Sequence, residues 1–480
     1  MSILVIDAGT SSVRAVVLDE RARVVAEASR PSLPRSPAPG LVEFDPVALY
    51  GAALDAVGDL GALAAAPEGV GIAVQRASTV VWDRSTGEPV GPGLGWQDLR
   101  TLGTCLELAV DGPGLAPNQS ATKAQWLWDQ VDPDRDRDLC IGTIDSWLIW
   151  NLSQGRSHVT DASNASMTGL LSLDGSGWDP AVASALGLPL AALPRIVDSA
   201  GPAATASAIS GAPPVTGIAG DQQASMIGQG CTEAGRAKAT FGTGAMLDVC
   251  VGESRPSFPK RGRAGSFPIV ARRTRGELSW ALESIMLSAG SCVEWLRDDL
   301  GLIDSAADSH VVASGCTDTG DVWFVPALLG LGTPHWDYGA RGTLLGLTRG
   351  TERRHVVRAV LEGIAHRGAD LLDAARTDSG HPIDRLRIDG GMSANPTFVT
   401  ALADACQVPV EVSAQLEATA MGAGLLAGLG AGVWTELDEA AEAWAPRLVV
   451  EPAGESRRDR WREALERSRG WIPELSDLDF

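Results

Sequence analysis

"ILVIDAGTSSVRAVVLDE", residues 3–20, sets two runs of Ile, Val, Leu and Ala on either side of a turn crowded with polar groups. Short apolar runs rich in β-branched residues read as buried strands, and the glycine-containing turn between them reads as a hairpin. A tight turn between buried strands has no structural need for an aspartate, three hydroxyls and an arginine. Gly9 lets the backbone bend closely, so the N–H groups of Thr10, Ser11 and Ser12 can turn inward towards an anion. Their hydroxyls add donors, and Arg14 adds a fixed cationic fork. Asp7 would repel a bare phosphate and makes sense only with a cation between them. Mg2+ suits that place, because it accepts one carboxylate together with phosphate oxygens and water.

The same logic recurs further along. "AKATFGTGAMLDVCVG" (237–252) reads as strand, "GTG" turn and strand, as if a second half began on the plan of the first. "LRIDGGMSANPTFVTALADACQVPVEV" (386–412) reads as strand, Gly-Gly turn, helix and strand, and the N-terminus of such a helix favours anions. Taken singly, each turn is usually just a turn. Three of them, in two halves of similar plan, point to a nucleoside triphosphate held between two lobes. "PPVTGIAGDQQASMIGQG" (213–230) supplies a further element, a strand leading through Asp221 into a small-residue helix. An isolated Asp there would simply cap the helix. Beside a phosphate cleft it reads as the base that takes a proton from an acceptor hydroxyl, with Gln222 and Gln223 able to orient hydroxyls.

A chain of 480 residues is too long for one typical domain and predicts two, 1–246 and 247–480. They are expected to meet near 244–255, where "GESRPSFPKRGR" reads as a surface connection. Strands and helices mix throughout, which gives an α/β class. The net charge of −21, with no basic stripe, argues against nucleic acid and anionic membranes as partners. Seven scattered cysteines without a CxxC pair fit a reducing compartment, and the six histidines show no metal-ligand spacing. No apolar run is long and uncharged enough to span a bilayer, and strand-like first residues leave no room for a signal peptide. A cytoplasmic protein is expected. Trp126, Trp128, Trp147 and Trp150 lie at helical spacing and read as core rather than as a sugar platform. His335 and His366 read as structural. The Gly/Ala-rich helix 417–434 reads as a close-packing element, and the acidic tail "PELSDLDF" as solvated.

The stretches "DAGTSSVR", "QRAS", "WQDLR", "GDQQAS", "TFGTG", "LGTPHWDYGARGTLLGLTRGT", "LRIDGGMSAN" and "EATAMGAGLLAG", in this order from about residue 3 to 434, resemble the FGGY carbohydrate kinases. "VVWDRSTGEPV", "SHVTDASNAS" and "GIAGDQQAS" are most similar to its glycerol kinase branch. The resemblance implies two actin-like, ribonuclease-H-like ATPase domains with ATP and Mg2+ in the cleft between them. It implies Asp221 as catalytic base and Asp7 at the metal, with Thr10, Ser11, Ser12 and Arg14 on the β- and γ-phosphates. Thr243, Gly290, Gly391 and Asn395 would contact the nucleotide, and Glu294 falls where glycerol kinases often carry glutamine. Arg76 and Gln222 fall on polyol-binding positions, and Trp96 on an aromatic that packs against the acceptor's carbons. A homodimer or homotetramer is plausible by the same likeness.

Two departures bear on the acceptor. Glycerol kinases read "QRET" where this chain has "QRAS", so their hydroxyl-reading glutamate is Ala77 here. Their tyrosine before an "SGTK"-like segment is Asn118 in "PNQSATK". Each lost hydrogen bond to a charged group is worth roughly 1.5–3 kcal/mol, and the smaller side chains enlarge the pocket. The expected reaction is ATP-dependent phosphorylation of a hydroxyl of a small polyol or sugar, the acceptor larger than glycerol or differently substituted. The alternatives are a glycerol kinase compensated from elsewhere, a pentulose or other sugar kinase, and a non-catalytic nucleotide-binding regulator. The last has no use for a base such as Asp221.

Overall fold

The computed structural model describes residues 1–414, 417–437 and 444–478. Its spine is a 13-stranded sheet. In chain order the strands are β1 (Ser2–Ala8), β2 (Ser12–Asp19), β3 (Val24–Pro31), β4 (Gly69–Val74), β5 (Ala200–Thr205), β6 (Pro214–Gly220), β7 (Ala237–Phe241), β8 (Ala245–Gly252), β9 (Phe267–Thr274), β10 (Glu277–Met286), β11 (Leu386–Asp389), β12 (Val410–Ser413) and β13 (Pro446–Val450). The helices that matter for the site are α1 (Ala121–Val131), α2 (Ile144–Leu152), α3 (Ala162–Ser166), α4 (Asp221–Gly228), α5 (Gly290–Asp298), α6 (Arg353–Ser379), α7 (Pro396–Cys406) and α8 (Ala418–Gly430).

One plan is used twice. In the first half β3, β2 and β1 run antiparallel to their neighbours, then β4 and β6 follow parallel to β1. In the second half β10, β8 and β7 repeat the antiparallel set, and β11 and β12 follow parallel to β7. The two sets join through β5 and β9. Both hairpins read from the sequence, 3–20 and 237–252, are therefore the first two strands of their half. Position 246/247 falls inside β8, and the 252–263 loop joins β8 to β9 within the second half. The segment 229–236 carries no strand or helix, and we place the division there.

Along β1 the side chains alternate between two interiors, as the strand period requires. Leu4, Ile6 and Ala8 face a core containing Trp82, Trp147 and Trp150, while Ile3 and Val5 face Ala420, Ala423 and Leu426 of α8. Trp128 and Trp147 are fully buried, which matches their core reading; Trp126 is half-buried, with Arg100 stacked 4.6 Å above its ring. His366 is buried and stacked on Trp461, with burial pushing it down to about 3. Burial also takes His335 down to about 4, so neither histidine is charged near neutral pH. The C-terminal segment is solvated, with none of its described residues buried, and it is also docked. Pro473–Ser476 forms a short helix, and the Ser476 hydroxyl donates to Asp337 at 2.6 Å; Asp479 and Phe480 lie outside the described residues. No described helix is long and apolar enough to cross a membrane.

Helix α8 comes from the end of the second half, yet it lies against β1, β4, β6 and α4 of the first. Small residues make that possible. A methyl group at Gly71 or Gly217 would overlap the α8 backbone at Ala423 or Ala427, and one at Gly422 would overlap the Ala224 carbonyl of α4. The contact is backbone on backbone, and it fixes the helix that begins with Asp221. Overpacking of this kind costs typically 1–3 kcal/mol. Gly422→Ala should therefore lower the melting temperature. Gly51→Ala, at a helical position with open space around it, should leave it unchanged or raise it, since alanine is the better helix former. Equal melting curves for the two variants would contradict the packing described.

Candidate active site

The parallel strands of each half end in a row. Ala8, Val74 and Gly220 are register partners across β1, β4 and β6, so the segments 9–12, 75–78 and 221–223 leave the sheet side by side. In the second half β7 and β11 are parallel, with Thr240 opposite Asp389, so the 242–244 and 390–395 turns also emerge together. Ligands of open α/β sheets gather at such carboxyl ends.

The first row carries the hairpin chemistry. Asp7 and Arg14 face each other across β1 and β2. Thr10 donates to Gln75 Oε1 at 3.3 Å, and Gln75 Nε2 donates to the Gly9 carbonyl at 3.2 Å. Ser78 joins the same amide at 3.3 Å and accepts the Trp96 N–H at 3.1 Å. The indole N–H of Trp96 lies 3.5 Å from the Thr10 hydroxyl. The 9–12 turn, the 75–78 segment and Trp96 are thus one network, with Gln75 at its centre. Lys123, fully buried and pushed down by burial to about 7, donates to the Trp96 carbonyl at 3.1 Å and holds that loop from behind. Ser11 is exposed and Ser12 half-buried. Arg14 forms an ion pair with Glu417, at the N-terminus of α8.

Asp221 is the first residue of α4 rather than its cap; the capping position is Gly220, and among the described residues the carboxylate accepts one hydrogen bond, from the neighbouring Gln222 N–H at 2.8 Å. Its Oδ1 also lies 3.3 Å from Arg76 Nε. Burial raises the Asp221 carboxyl above its ordinary range, opposed by Arg76 and Lys238. Arg76 in turn makes a two-pronged contact with Glu283 of β10, at 2.6 and 3.1 Å. Burial pulls its guanidinium down, but Glu283 and Asp221 outweigh this and keep it charged. Gln222 Oε1 accepts from Lys238 Nζ at 2.6 Å, and Lys238 pairs with Asp248 at 2.8 Å, both fully buried. Ala77 holds a left-handed backbone, φ 60, with its carbonyl accepting from Ser120 and Thr79, each at 3.1 Å. Asn118 is half-buried two residues before Ser120 and, among the described residues, makes no side-chain hydrogen bond.

In the second row, the Thr243 carbonyl accepts the N–H groups of Ala289 and Ser291, at 2.8 and 3.2 Å, and Gly290 donates to the Gly242 carbonyl at 2.8 Å. The "GTG" turn is thereby stitched to the start of α5, where Glu294 stands exposed one turn on. Gly391 opens a single turn of 3-10 helix after Gly390, whose φ of 83 only glycine adopts readily. Asn395 caps α7 by accepting the Phe398 N–H at 3.1 Å and donates to Ser309 at 2.8 Å.

Gln75, Lys123, Lys238, Asp248, Glu283 and Glu417 were not legible as site residues. Three of them had a signal: a single charge inside an apolar strand, as in "AKATF", "AMLDVCV" and "ALESIM", must find a partner when buried. Among the described residues no cluster of three or more metal-ligating side chains occurs. A cation at Asp7 would therefore complete its shell with phosphate oxygens and water, as Mg2+ does.

Residues 2–228 match the N-terminal domain of the FGGY family of carbohydrate kinases, and residues 237–431 its C-terminal domain. The chain is 42% identical over 495 residues to a glycerol kinase of Aromatoleum aromaticum, covering 98% of this chain and 99% of that one. A glycerol kinase of Alkalilimnicola ehrlichii is 42% identical over 494 residues, with 98% and 99% covered. Among solved structures, glycerol kinase of Plasmodium falciparum with ADP superposes with a TM-score of 0.90 at 30% identity, over 97% of this chain and 98% of that one. In fold alone, a gluconate kinase of Lactobacillus acidophilus is similar as well, with a TM-score of 0.86 at 20% identity over 99% and 98% of the two chains. Fold and relatives together define a two-domain, ATP-dependent kinase. The chain belongs to the FGGY family of carbohydrate kinases.

The Asp7 carboxyl is nearly out of reach of solvent, and burial raises it to about 6, with Arg14 opposing and Asp221 adding to the rise. A group whose folded value lies above its unfolded value of 3.8 takes stability from the fold as pH rises through that interval. Above about pH 6 the full cost is present, on the order of 2–3 kcal/mol. Asp7→Asn should accordingly raise the melting temperature of the ligand-free protein by several degrees at pH 7.5, with the difference shrinking towards pH 4. Identical melting at both pH values would show that the carboxylate carries no burial cost.

Proposed function

We propose that this kinase transfers the γ-phosphoryl group of ATP to a hydroxyl of a small, uncharged polyol or sugar, with Asp221 as the base that takes the hydroxyl proton. The observation that carries this reading is the position of Asp221. It starts a helix at the edge of the first row, with a carboxyl raised by burial, beside Arg76 and close enough to Asp7 for the two charges to interact. A base needs a value lifted towards the working pH and a place beside the reacting groups.

The remaining roles follow from the contacts. Thr10, Ser11, Ser12 and Arg14 would hold the β- and γ-phosphates; Arg14 would exchange its present partner, Glu417, for phosphate oxygens. Thr243, Gly290, Glu294, Gly391 and Asn395 would line the nucleotide's side, with the stitched "GTG" turn supplying a rigid wall. Asp7 fits Mg2+, since its buried carboxylate lacks sufficient compensating charge in the ligand-free protein. When bound, the ion would neutralise charge on the transferring phosphate. Arg76, Gln222, Trp96 and Asn118 would read and pack the acceptor. The seven free thiols, six of them buried, support a cytoplasmic location.

The relatives named glycerol kinase favour a second reading, in which glycerol itself is the acceptor. Ala77 argues against it: position 77 offers a buried methyl group where a hydroxyl-reading carboxylate would stand. ADP release measured over a panel of polyols and ketoses decides between the two. The expected result is a better acceptor than glycerol, with Ala77→Glu raising kcat/KM for glycerol on the order of 10-fold. Ordinary efficiency with glycerol and no better acceptor would establish the second reading. Asp221→Asn should keep nucleotide binding while cutting turnover by on the order of 10²-fold or more; surviving turnover would remove Asp221 as base.

A further inference from the structure

Every nitrogen of the Arg76 guanidinium already faces a partner, and only the second N–H of Nη2 is left to meet an acceptor hydroxyl. Nη1 and Nη2 face the two oxygens of Glu283, Nε faces Asp221 at 3.3 Å, and Nη1 also lies 3.5 Å from Gln223 Oε1. The arginine side chain is 9% exposed and the glutamate side chain 1%. A buried arginine left open in a small-molecule site would be a receptor for a carboxylate, because the two-pronged contact is the strongest such pairing. Here Glu283 already fills that place, and it reaches across from the second half of the chain. Its cross-strand neighbour Asp248 pairs with Lys238, which holds Gln222 by its carbonyl oxygen and leaves that side chain's amide N–H groups as donors. The polar wall offered to an acceptor therefore carries no unmatched positive charge.

We infer that Glu283 is a positioning residue for Arg76 and that, by cancelling its charge, it makes the acceptor site select uncharged polyols and sugars over sugar acids. This rests on the kinase reading and deepens it. Without Glu283 the guanidinium would lose both its anchor and its counter-charge. The carboxylate left in contact with it would be Asp221, which is also faced by Lys238, Asp248 and Asp7. The freed charge would act on Asp221 and strengthen its ionised form, and it would welcome a carboxylate on the substrate.

The test uses the full-length protein with Mg2+-ATP, its best neutral acceptor and gluconate, in the wild type and in Glu283→Gln and Glu283→Asp. Glu283→Gln should raise KM for the neutral acceptor on the order of 10-fold with a smaller fall in kcat. It should raise the gluconate-to-neutral ratio of kcat/KM by on the order of 10-fold and move the acid limb of the kcat/KM profile to lower pH. Glu283→Asp, which keeps the charge, should retain the wild-type preference and acid limb. Should Glu283→Gln fail to fold, the wild type and Glu283→Asp still decide: a wild type preferring gluconate, or Glu283→Asp gaining gluconate activity, overturns the inference. So does a folded Glu283→Gln with unchanged KM, ratio and acid limb, or one losing turnover equally on both acceptors. A wild type that phosphorylates no acceptor at all would instead remove the kinase reading on which the inference stands.

Discussion

A charged group taken out of water must be matched where it lies, since the effective penalty is several kcal/mol for each ion. At the centre of this molecule that demand falls on Arg76, and the matching carboxylates come from two places, Asp221 in the first half and Glu283 in the second. The pair with Glu283 joins residues 207 positions apart in sequence. It ties the end of β4 to the middle of β10 and so registers one copy of the repeated plan against the other. Lys238 and Asp248 form a second buried pair next to it, and through Lys238 the network reaches Gln222. The proposed acceptor side of the site is in this sense an electrostatic object first and a pocket second.

The side proposed for the nucleotide is built differently. Its turns are held by backbone hydrogen bonds among Gly242, Thr243, Ala289, Gly290 and Ser291, and by the cap that Asn395 places on α7. Backbone donors and helix ends suit a ligand defined by phosphates, because they need no side-chain charge in an acidic protein. Between the two sides stands the 9–12 turn, linked through Gln75 and Ser78 to Trp96, so the group that would grip phosphate and the group that would pack the acceptor share hydrogen bonds.

Much of this was legible in the residues. Strand pairs with polar turns at 3–20 and 237–252 announced the duplicated α/β plan, because hydrophobic runs and turn glycines are local signals. The position of Asp221 between a strand and a small-residue helix was legible too. The division we place at 229–236 was not, since assigning the "GTG" hairpin to the second half rests on strand pairing. Nor was the partnership of Arg76 with Glu283 or of Lys238 with Asp248: pairing between distant strands depends on sheet register, which no local pattern encodes. The docking of the solvated C-terminal segment was not legible for a related reason. Its acidic composition signalled solvation, while one serine hydroxyl reaching Asp337 and a backbone bond from Ile472 to Gly339 dock it.

The unusual backbone at Ala77 carries a consequence of its own. Its left-handed shape is held by two hydroxyls, Thr79 and Ser120, that donate to its carbonyl from outside the residue itself. Chemistry at that point can change by single substitutions while the peptide path stays put. The rigid glycine-lined seam under α8 permits no such freedom. Evolution of new acceptors on this scaffold thus has an inexpensive dial a few residues from an immovable frame, which is how one phosphoryl-transfer engine can be retuned without being rebuilt.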